Sequence, residues 1–334
     1  MTTPLAPDFR PQYHQLHRVG RPGAWRSLVG SLLALVLVFA LVPLVAGAVA
    51  LVALIATGSS TDEATAVLDV TAEATPAGLA LLNIVIALAI PVVWGVTWWL
   101  HRLKPRWLSS VGPRLRWRYL VVCLGLSVVA LAASLGVGLL LPLAPGESPI
   151  GGVNEFTDQT RNFLIVILLL TPLQAAGEEY LFRGYLTQAF GSLAWGKRAS
   201  QALAVLGPAL IFALFHGLSQ DAPVFFDRFA FGVVAGILVI RTGGLEAAIA
   251  MHVLNNFLAF GLALAFGDLT TALTATGGSS WWMILSTLTQ SLVYLALATW
   301  VARAMGVVSV GPPVGGVLPP PSRDPVLEGS PPRV

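Results

Sequence analysis

Residues 27–56 carry no charged side chain, and seven later stretches are nearly as apolar. A helix needs about 20 predominantly apolar residues to cross the hydrocarbon core of a bilayer. Runs of this kind exclude a soluble globule and predict an all-α, polytopic membrane protein. Composition agrees, since 56% of the 334 residues are hydrophobic and only 10% are charged. The formal net charge of +3 is small, and its basic residues are spread over several loops. That distribution speaks for membrane topology and against a nucleic-acid partner. Cys123 is the single cysteine, so no intrachain disulfide and no cysteine-based zinc site can form.

The apolar pattern predicts eight spans, at about 26–56, 77–100, 119–143, 163–190, 199–218, 224–241, 245–266 and 281–304. Ala46-Gly47-Ala48 mimics a signal-peptidase site, but the first run stays apolar to Ala56 and reads as an anchor. Pro43 predicts a kink there, and Pro91 falls inside the second span. The connection at 101–118 holds Arg102, Lys104, Arg106, Arg114, Arg116 and Arg118 with no acid, which marks it as cytoplasmic. The loop at 58–75 holds Asp62, Glu63, Asp69 and Glu73 with no base and reads as outside, as does the loop at 144–162. With eight spans both termini are then cytoplasmic. Of the 19 Lys and Arg, only Arg161, Arg183 and Arg228 fall elsewhere than the cytoplasmic side. Residues 1–25 read as a short cytoplasmic tail, 26–304 as one membrane domain and 305–334 as a Pro- and Gly-rich disordered cytoplasmic tail. The predicted location is a cell membrane, with the lipid bilayer as solvent. Trp94, Trp98, Trp99, Trp281 and Trp282 read as interfacial anchors.

One apolar run is broken by Gly-Glu-Glu-Tyr-Leu-Phe-Arg at 177–183. An ionisable residue at the bilayer centre costs roughly 2.5–3.5 kcal/mol on insertion scales. Glu179 and Arg183 are four apart and share a helix face, so they can pair. Glu178 points about 100° away and is left without a partner in its own helix. Glu178 therefore reads as the working group, with Glu179 and Arg183 as its support. Three more polar residues interrupt later spans: His216 at the end of Phe-Ala-Leu-Phe-His, and His252 and Asn256 one turn apart. The fourth and fifth spans are joined by a short turn and run antiparallel, which lets Glu178 and His216 meet at one depth. A buried carboxylate can hold and deprotonate a water. A histidine beside it can protonate a leaving amine, and a second histidine with an asparagine amide can stabilise an oxyanion. Asp227-Arg228 reads as a structural pair near an interface, and Gly232-x-x-x-Gly236 as a helix-packing face.

Glu-Glu-x-x-x-Arg, Phe-x-x-x-His and His-x-x-x-Asn, in this order on separate spans, resemble the CPBP intramembrane protease family. That group includes CAAX prenyl endopeptidases of the Rce1 type and bacterial Abi-type bacteriocin-processing or immunity proteins. The resemblance covers about residues 171–257, within a protease core at about 163–266. It implies Glu178 as the water-activating glutamate, Glu179 and Arg183 as its neighbours, and His216 as the second catalytic group. It also implies His252 and Asn256 as the oxyanion site. Glu246 departs from the pattern, which usually has an apolar or aromatic residue there.

The resulting expectation is an intramembrane endopeptidase acting on a peptide or membrane-protein substrate by glutamate-activated water, with no cofactor. The alternative on the same residues is a zinc protease with Glu178, His216 and His252 as ligands. Zinc histidines usually carry carboxylates behind them, and the sequence shows none beside His216 or His252. A proton-coupled transporter is a competing class, although no inverted repeat is visible. A non-proteolytic immunity or scaffold protein that keeps the pocket is another.

Overall fold

The computed structural model describes residues 8–142, 152–217, 220–274 and 281–313. Among these residues the protein is all helical, with eight helices long and apolar enough to cross a membrane. They are α1 Ala24–Ala56, α2 Pro76–His101, α3 Trp117–Gly138, α4 Asp158–Gly191, α5 Lys197–Phe215, α6 Ala222–Thr242, α7 Glu246–Phe266 and α8 Met283–Ala304.

Proline shapes two of them. In α1 the turn before Pro43 widens into a π-helix at Leu37–Leu41. A proline ring crowds the preceding turn and donates no hydrogen bond, and a wide turn relieves both. In α2 the helix breaks at Leu88, just before Pro91. The loop expected at 58–75 contains a helix, Thr61–Leu68, started by a capping box in which Ser60 and Glu63 satisfy each other's backbone N–H groups. The fifth span ends at Phe215, earlier than expected, because Gly217 follows in the left-handed region at φ +117°. Residue 218 lies outside the described residues, as do residues 144–151 of the loop expected at 144–162.

Helix α4 is the hub. It packs on the first half of α2, on α7 and, through its last turns, on α5. Helices α3, α7 and α8 form a second group, and α6 joins α5 to α8. The small-residue face of α6 does pack: a Cβ on Gly232 would lie 2.9 Å from Ala209, and one on Gly236 3.3 Å from Val205. Bulkier residues would force α5 and α6 apart. Trp94, Trp98, Trp99, Trp281 and Trp282 are all exposed on the outside of the bundle, and Cys123 is buried and free.

One end of the bundle gathers the N-terminal segment, the 101–116 connection, the α4–α5 turn, the α6–α7 turn and residues 306–311. Gln12 pairs with Val310 in an antiparallel bridge, and Gly311 N donates to Pro11 O at 2.8 Å. Residues 11–12 and 310–311 therefore lie side by side on one face of the bundle. Neither is free where it is described. Residues 306–313 are docked rather than extended into solvent, and residues 314–334 lie outside the described residues. A knot at this end holds α3, α6, α7 and the C-terminal segment. The Arg116 guanidinium and backbone N–H donate to buried Glu246 at 2.5–2.9 Å, and its Nη1 donates to Thr242 O and Val308 O. That partnership explains an acid at position 246.

The segment read as a tail is instead packed into the bundle. Tyr13–Arg18 forms a 3-10 helix in which every residue is buried. The Tyr13 hydroxyl donates to Leu108 O. Arg18 Nη2 donates to Gly191 O at 2.7 Å and to Ser200 Oγ at 3.0 Å. His17 stacks on His101 with ring centroids 3.9 Å apart, and His101 Nε2 shares a hydrogen bond with the Tyr185 hydroxyl at 2.9 Å. The ring nitrogens of His14 and His17 have no hydrogen-bond partner. Burial pushes His14 down to about 4, helped by the Arg18 charge. Burial also lowers His17 well below the usual imidazole range, with His101 adding to the effect.

Both histidines are held neutral by docking, while a released segment takes up protons near pH 6.5. Docking is therefore at full strength above that pH and weakens as the pH falls towards 4. Hydrogen exchange over residues 12–18 is expected to be slow at pH 7.5 and to lose protection by about pH 5, and His17→Phe, which leaves only His14 to titrate, should retain more of it there. Protection that is unchanged at acid pH in the native chain would contradict this.

Candidate active site

Helix α4 starts at a capping box, in which the Thr157 side chain accepts from Thr160 N. It reaches Gly177 where the backbone of α2 crosses it. A Cβ at 177 would overlap the Ile86 carbonyl oxygen, so glycine is what lets the two helices touch. The next two residues are Glu178 and Glu179, after which the helix opens into a π-helix over Tyr180–Leu186. Wide turns of this kind recur at functional sites because they re-aim side chains. All residues of this turn are buried.

Glu179 is fully buried, at 0% exposure. Its Oε1 accepts from Arg183 Nη1 at 3.0 Å, as the four-residue spacing predicts. The same oxygen is 2.8 Å from His252 Nδ1 on α7. Arg183 is 1% exposed, and its Nε and Nη2 have no hydrogen-bond partner. The guanidinium lies 4.1 Å over the Phe212 ring and 5.7 Å from the Phe231 ring centre. Aromatic faces stabilise a desolvated cation that lacks acceptors. Phe212 and Phe231 thus form part of the site. The sequence marks Phe212 only as the first residue of Phe-x-x-x-His and gives no signal for Phe231.

Glu178 is 9% exposed and, contrary to expectation, has a partner in its own helix. Gln174, one turn earlier, donates from Nε2 to Glu178 Oε1 at 2.8 Å. Gln174 Oε1 in turn accepts from Asn256 Nδ2 at 3.0 Å. The i, i+4 spacing of Gln174 and Glu178 was visible in the sequence, but an amide inside an apolar run looks like helix glue. Glu178 Oε2 accepts no hydrogen bond, yet lies 3.4 Å from His252 Nε2. That separation counts as an ion-pair contact but not as an aligned hydrogen bond. His252, 4% exposed, therefore stands between the two carboxylates.

His216 is brought near but not into the cluster. It caps α5, and its Nδ1 is 2.7 Å from the Phe212 carbonyl oxygen. A carbonyl only accepts, so Nδ1 carries the proton and Nε2 is the basic nitrogen of the neutral ring. Phe212 lies between the histidines, with ring centroids 4.3 Å from His216 and 6.1 Å from His252. Arg228 Nη1 donates to His216 O at 3.2 Å and to Gln220 Oε1 at 2.8 Å. It thus braces the α5–α6 connection, and no Asp227–Arg228 ion pair closes within 4 Å among the described residues. A cavity of about 450 Å³, lined by Leu214, Gly217, Gln220, Phe226 and Trp281 among others, lies at the α5–α6 connection.

The zinc alternative requires three protein ligands. Glu178 Oε2 and His252 Nε2 face each other, but His216 is turned to its own helix. Among the described residues no three His, Cys, Asp or Glu side chains are grouped to hold a metal. One argument against zinc is nevertheless corrected: His252 does have a carboxylate behind it, since Glu179 binds its Nδ1. The sequence could not show this, because the two residues are on different helices.

Removing Arg183 would leave Glu179 buried with only His252 beside it. Losing one partner of a buried pair costs about 3–5 kcal/mol. Arg183→Ala is therefore expected to lower folded abundance and the unfolding midpoint in detergent sharply. Arg183→Lys, which keeps the charge and loses the flat contact with Phe212, should fall between Ala and the native chain. Normal stability of Arg183→Ala would show that the pair does not hold the bundle.

Comparison with known proteins bears on this region. Residues 160–258 match a family model described as type II CAAX prenyl endopeptidase Rce1-like. A similar curated protein is the uncharacterized protein YyaK of Bacillus subtilis (strain 168), 29% identical over 146 residues. That alignment covers 41% of this chain and 48% of the relative, so the chain spans about half the length of the curated protein it matches. No solved structure matches. Every residue of the cluster, from Gln174 to Asn256, falls inside the segment of this multi-pass membrane protein that is similar to the Rce1-like family model.

Proposed function

We propose that this chain is an intramembrane endopeptidase in which Glu178 activates a water against a peptide bond of a membrane-associated substrate. The observation that carries the reading is the unequal treatment of the two carboxylates. Glu179 holds Arg183 and His252, whereas Glu178 keeps Oε2 uncommitted in a nearly closed site. A water beside that oxygen loses its proton to Glu178 as its own oxygen bonds to the scissile carbonyl carbon. Negative charge then develops on the carbonyl oxygen. The second amide proton of Asn256 is a donor available to it, and His252, whose Nδ1 proton is held by Glu179, adds an Nε2–H donor when it is the imidazolium. As the C–N bond breaks, the leaving nitrogen takes a proton from Glu178 or by way of His216 Nε2. No metal enters this scheme.

The substrate class is a peptide or membrane-protein segment, and we place the protein in a cell membrane with both chain ends and the basic 101–118 connection in the cytoplasm. Reporter fusions after Arg118 and Met305 are expected to read cytoplasm and fusions near Asp69 the outside. Asp69 on the inner side would reverse the arrangement.

Comparing membrane peptides from cells with the native chain and with Glu178→Gln tests the chemistry. General-base loss should reduce cleavage by at least about 100-fold at unchanged abundance, and purified protein should keep its activity in chelator. Near-normal cleavage by Glu178→Gln with an inactive, folded Glu179→Gln would assign water activation to the wrong carboxylate. Activity lost on chelation and restored by zinc would overturn the metal-free scheme.

A further inference from the structure

Gln174 has no part in the three motifs, yet both ends of its side chain are committed inside the site. We propose that Gln174 is a positioning residue that fixes which oxygen of Glu178 does the work. The proposal rests on the reading of Glu178 as the water-activating group. The orientation of the amide is not ambiguous. As the base of the proposed reaction Glu178 is an ionised carboxylate and its Oε1 can only accept, so the Gln174 NH2 faces it at 2.8 Å. The amide oxygen then faces α7, where Asn256 Nδ2 donates to it at 3.0 Å. The chain Asn256 to Gln174 to Glu178 is directional, each amide pointing a donor towards the carboxylate, and such chains polarise cooperatively.

A rival arrangement shows why this device is needed. Arg183 retains two buried N–H groups without acceptors and feels the charge of Glu178. His252 Nε2 lies 3.4 Å from Glu178 Oε2. An unrestrained Glu178 would turn onto this cationic side and become a second structural acid. Gln174 holds Oε1 one turn back along α4 and leaves Oε2 as the free oxygen. The same bond ties Asn256 to Glu178 across the α4–α7 seam. One amide proton of Asn256 is committed, and the direction of the other is thereby set. Part of what Asn256 contributes therefore passes through Gln174.

Two variants test this. Gln174→Leu removes both bonds, and Gln174→Asn, one methylene shorter, cannot reach both partners. With a membrane peptide that the native chain cleaves and Glu178→Gln does not, each variant is expected to lose about tenfold or more in kcat with KM within about twofold. A purely structural residue would instead lower folded abundance and leave kcat per folded molecule alone. Asn256→Leu combined with Gln174→Leu should lose clearly less than the product of the two single losses, because part of the Asn256 effect is already gone in Gln174→Leu. Fully multiplied losses would overturn the link between the amides. Carbodiimide labelling of Glu178, read by peptide mass spectrometry against ion-paired Glu246, needs no turnover. The bond from Gln174 competes with addition to the carboxyl group, so labelling of Glu178 should rise about threefold or more in either variant. Unchanged labelling and unchanged kcat would overturn the proposal. A native chain that cleaves no peptide would remove the peptidase reading, while the labelling ratio would still decide whether Gln174 governs Glu178.

Discussion

A single carboxylate oxygen, Glu179 Oε1, holds this structure together. It receives Arg183 from its own helix and His252 from α7, with no water-accessible surface on the acid. A charge so placed is tolerable only while its partners stay in position. Arg183 in turn needs aromatic faces, and these come from Phe212 on α5 and Phe231 on α6. One buried ion pair thus fixes the mutual positions of α4, α5, α6 and α7. The catalytic candidates inherit that geometry: His252 is oriented through Nδ1, and Phe212 offers its carbonyl oxygen to His216.

A second charged knot, Arg116 with Glu246, holds the N-terminal end of α7, less than two turns before His252. Its acceptors include the backbone of Thr242 and Val308, so it also ties down the α6–α7 turn and the C-terminal segment. Helix α7 is therefore pinned by charge at its first residue and again at His252. Between the two pins every residue from Ala247 to Val253 is buried. A helix held in this way has little freedom to slide, which suits a site that must keep a histidine within a few ångströms of two acids.

The helices outside the Rce1-like segment do more than fill the membrane. Ile86 of α2 lies against Gly177, immediately before the acid pair. Phe39 of α1 stacks on Phe215 at 4.0 Å, beside His216. Residues 13–18 close the end of α4 where Tyr185 and Gly191 emerge, bringing His17 onto His101 of α2. Helices α1 and α2 thus flank the site, while residues 13–18 close the far end of α4.

Much of this was legible in the sequence because a bilayer leaves few choices. The eight spans, the all-α class and the Glu179–Arg183 pair follow from hydrocarbon thickness and helical spacing. The capping box at Ser60 and Glu63 was equally legible, although a charged loop disguised it. Spacing within one helix also contained the bond from Gln174 to Glu178. What required tertiary structure were contacts between helices, whose relative rotation and depth no local pattern encodes. The sequence set His216 at the depth of Glu178, but the early end of α5 turned its ring to Phe212 O. It showed no carboxylate near His252, whereas packing of α7 on α4 supplied Glu179. It read residues 1–25 as a polar tail, yet Tyr13–Arg18 are buried, because His17 stacks on His101 of α2 and Arg18 donates to the Gly191 carbonyl at the end of α4. Sequence alone determined which residues carry charge into the membrane. Only the fold decided which of two adjacent acids is spent on holding the helices and which keeps an oxygen free, since that depends on what the neighbouring helices bring to each face.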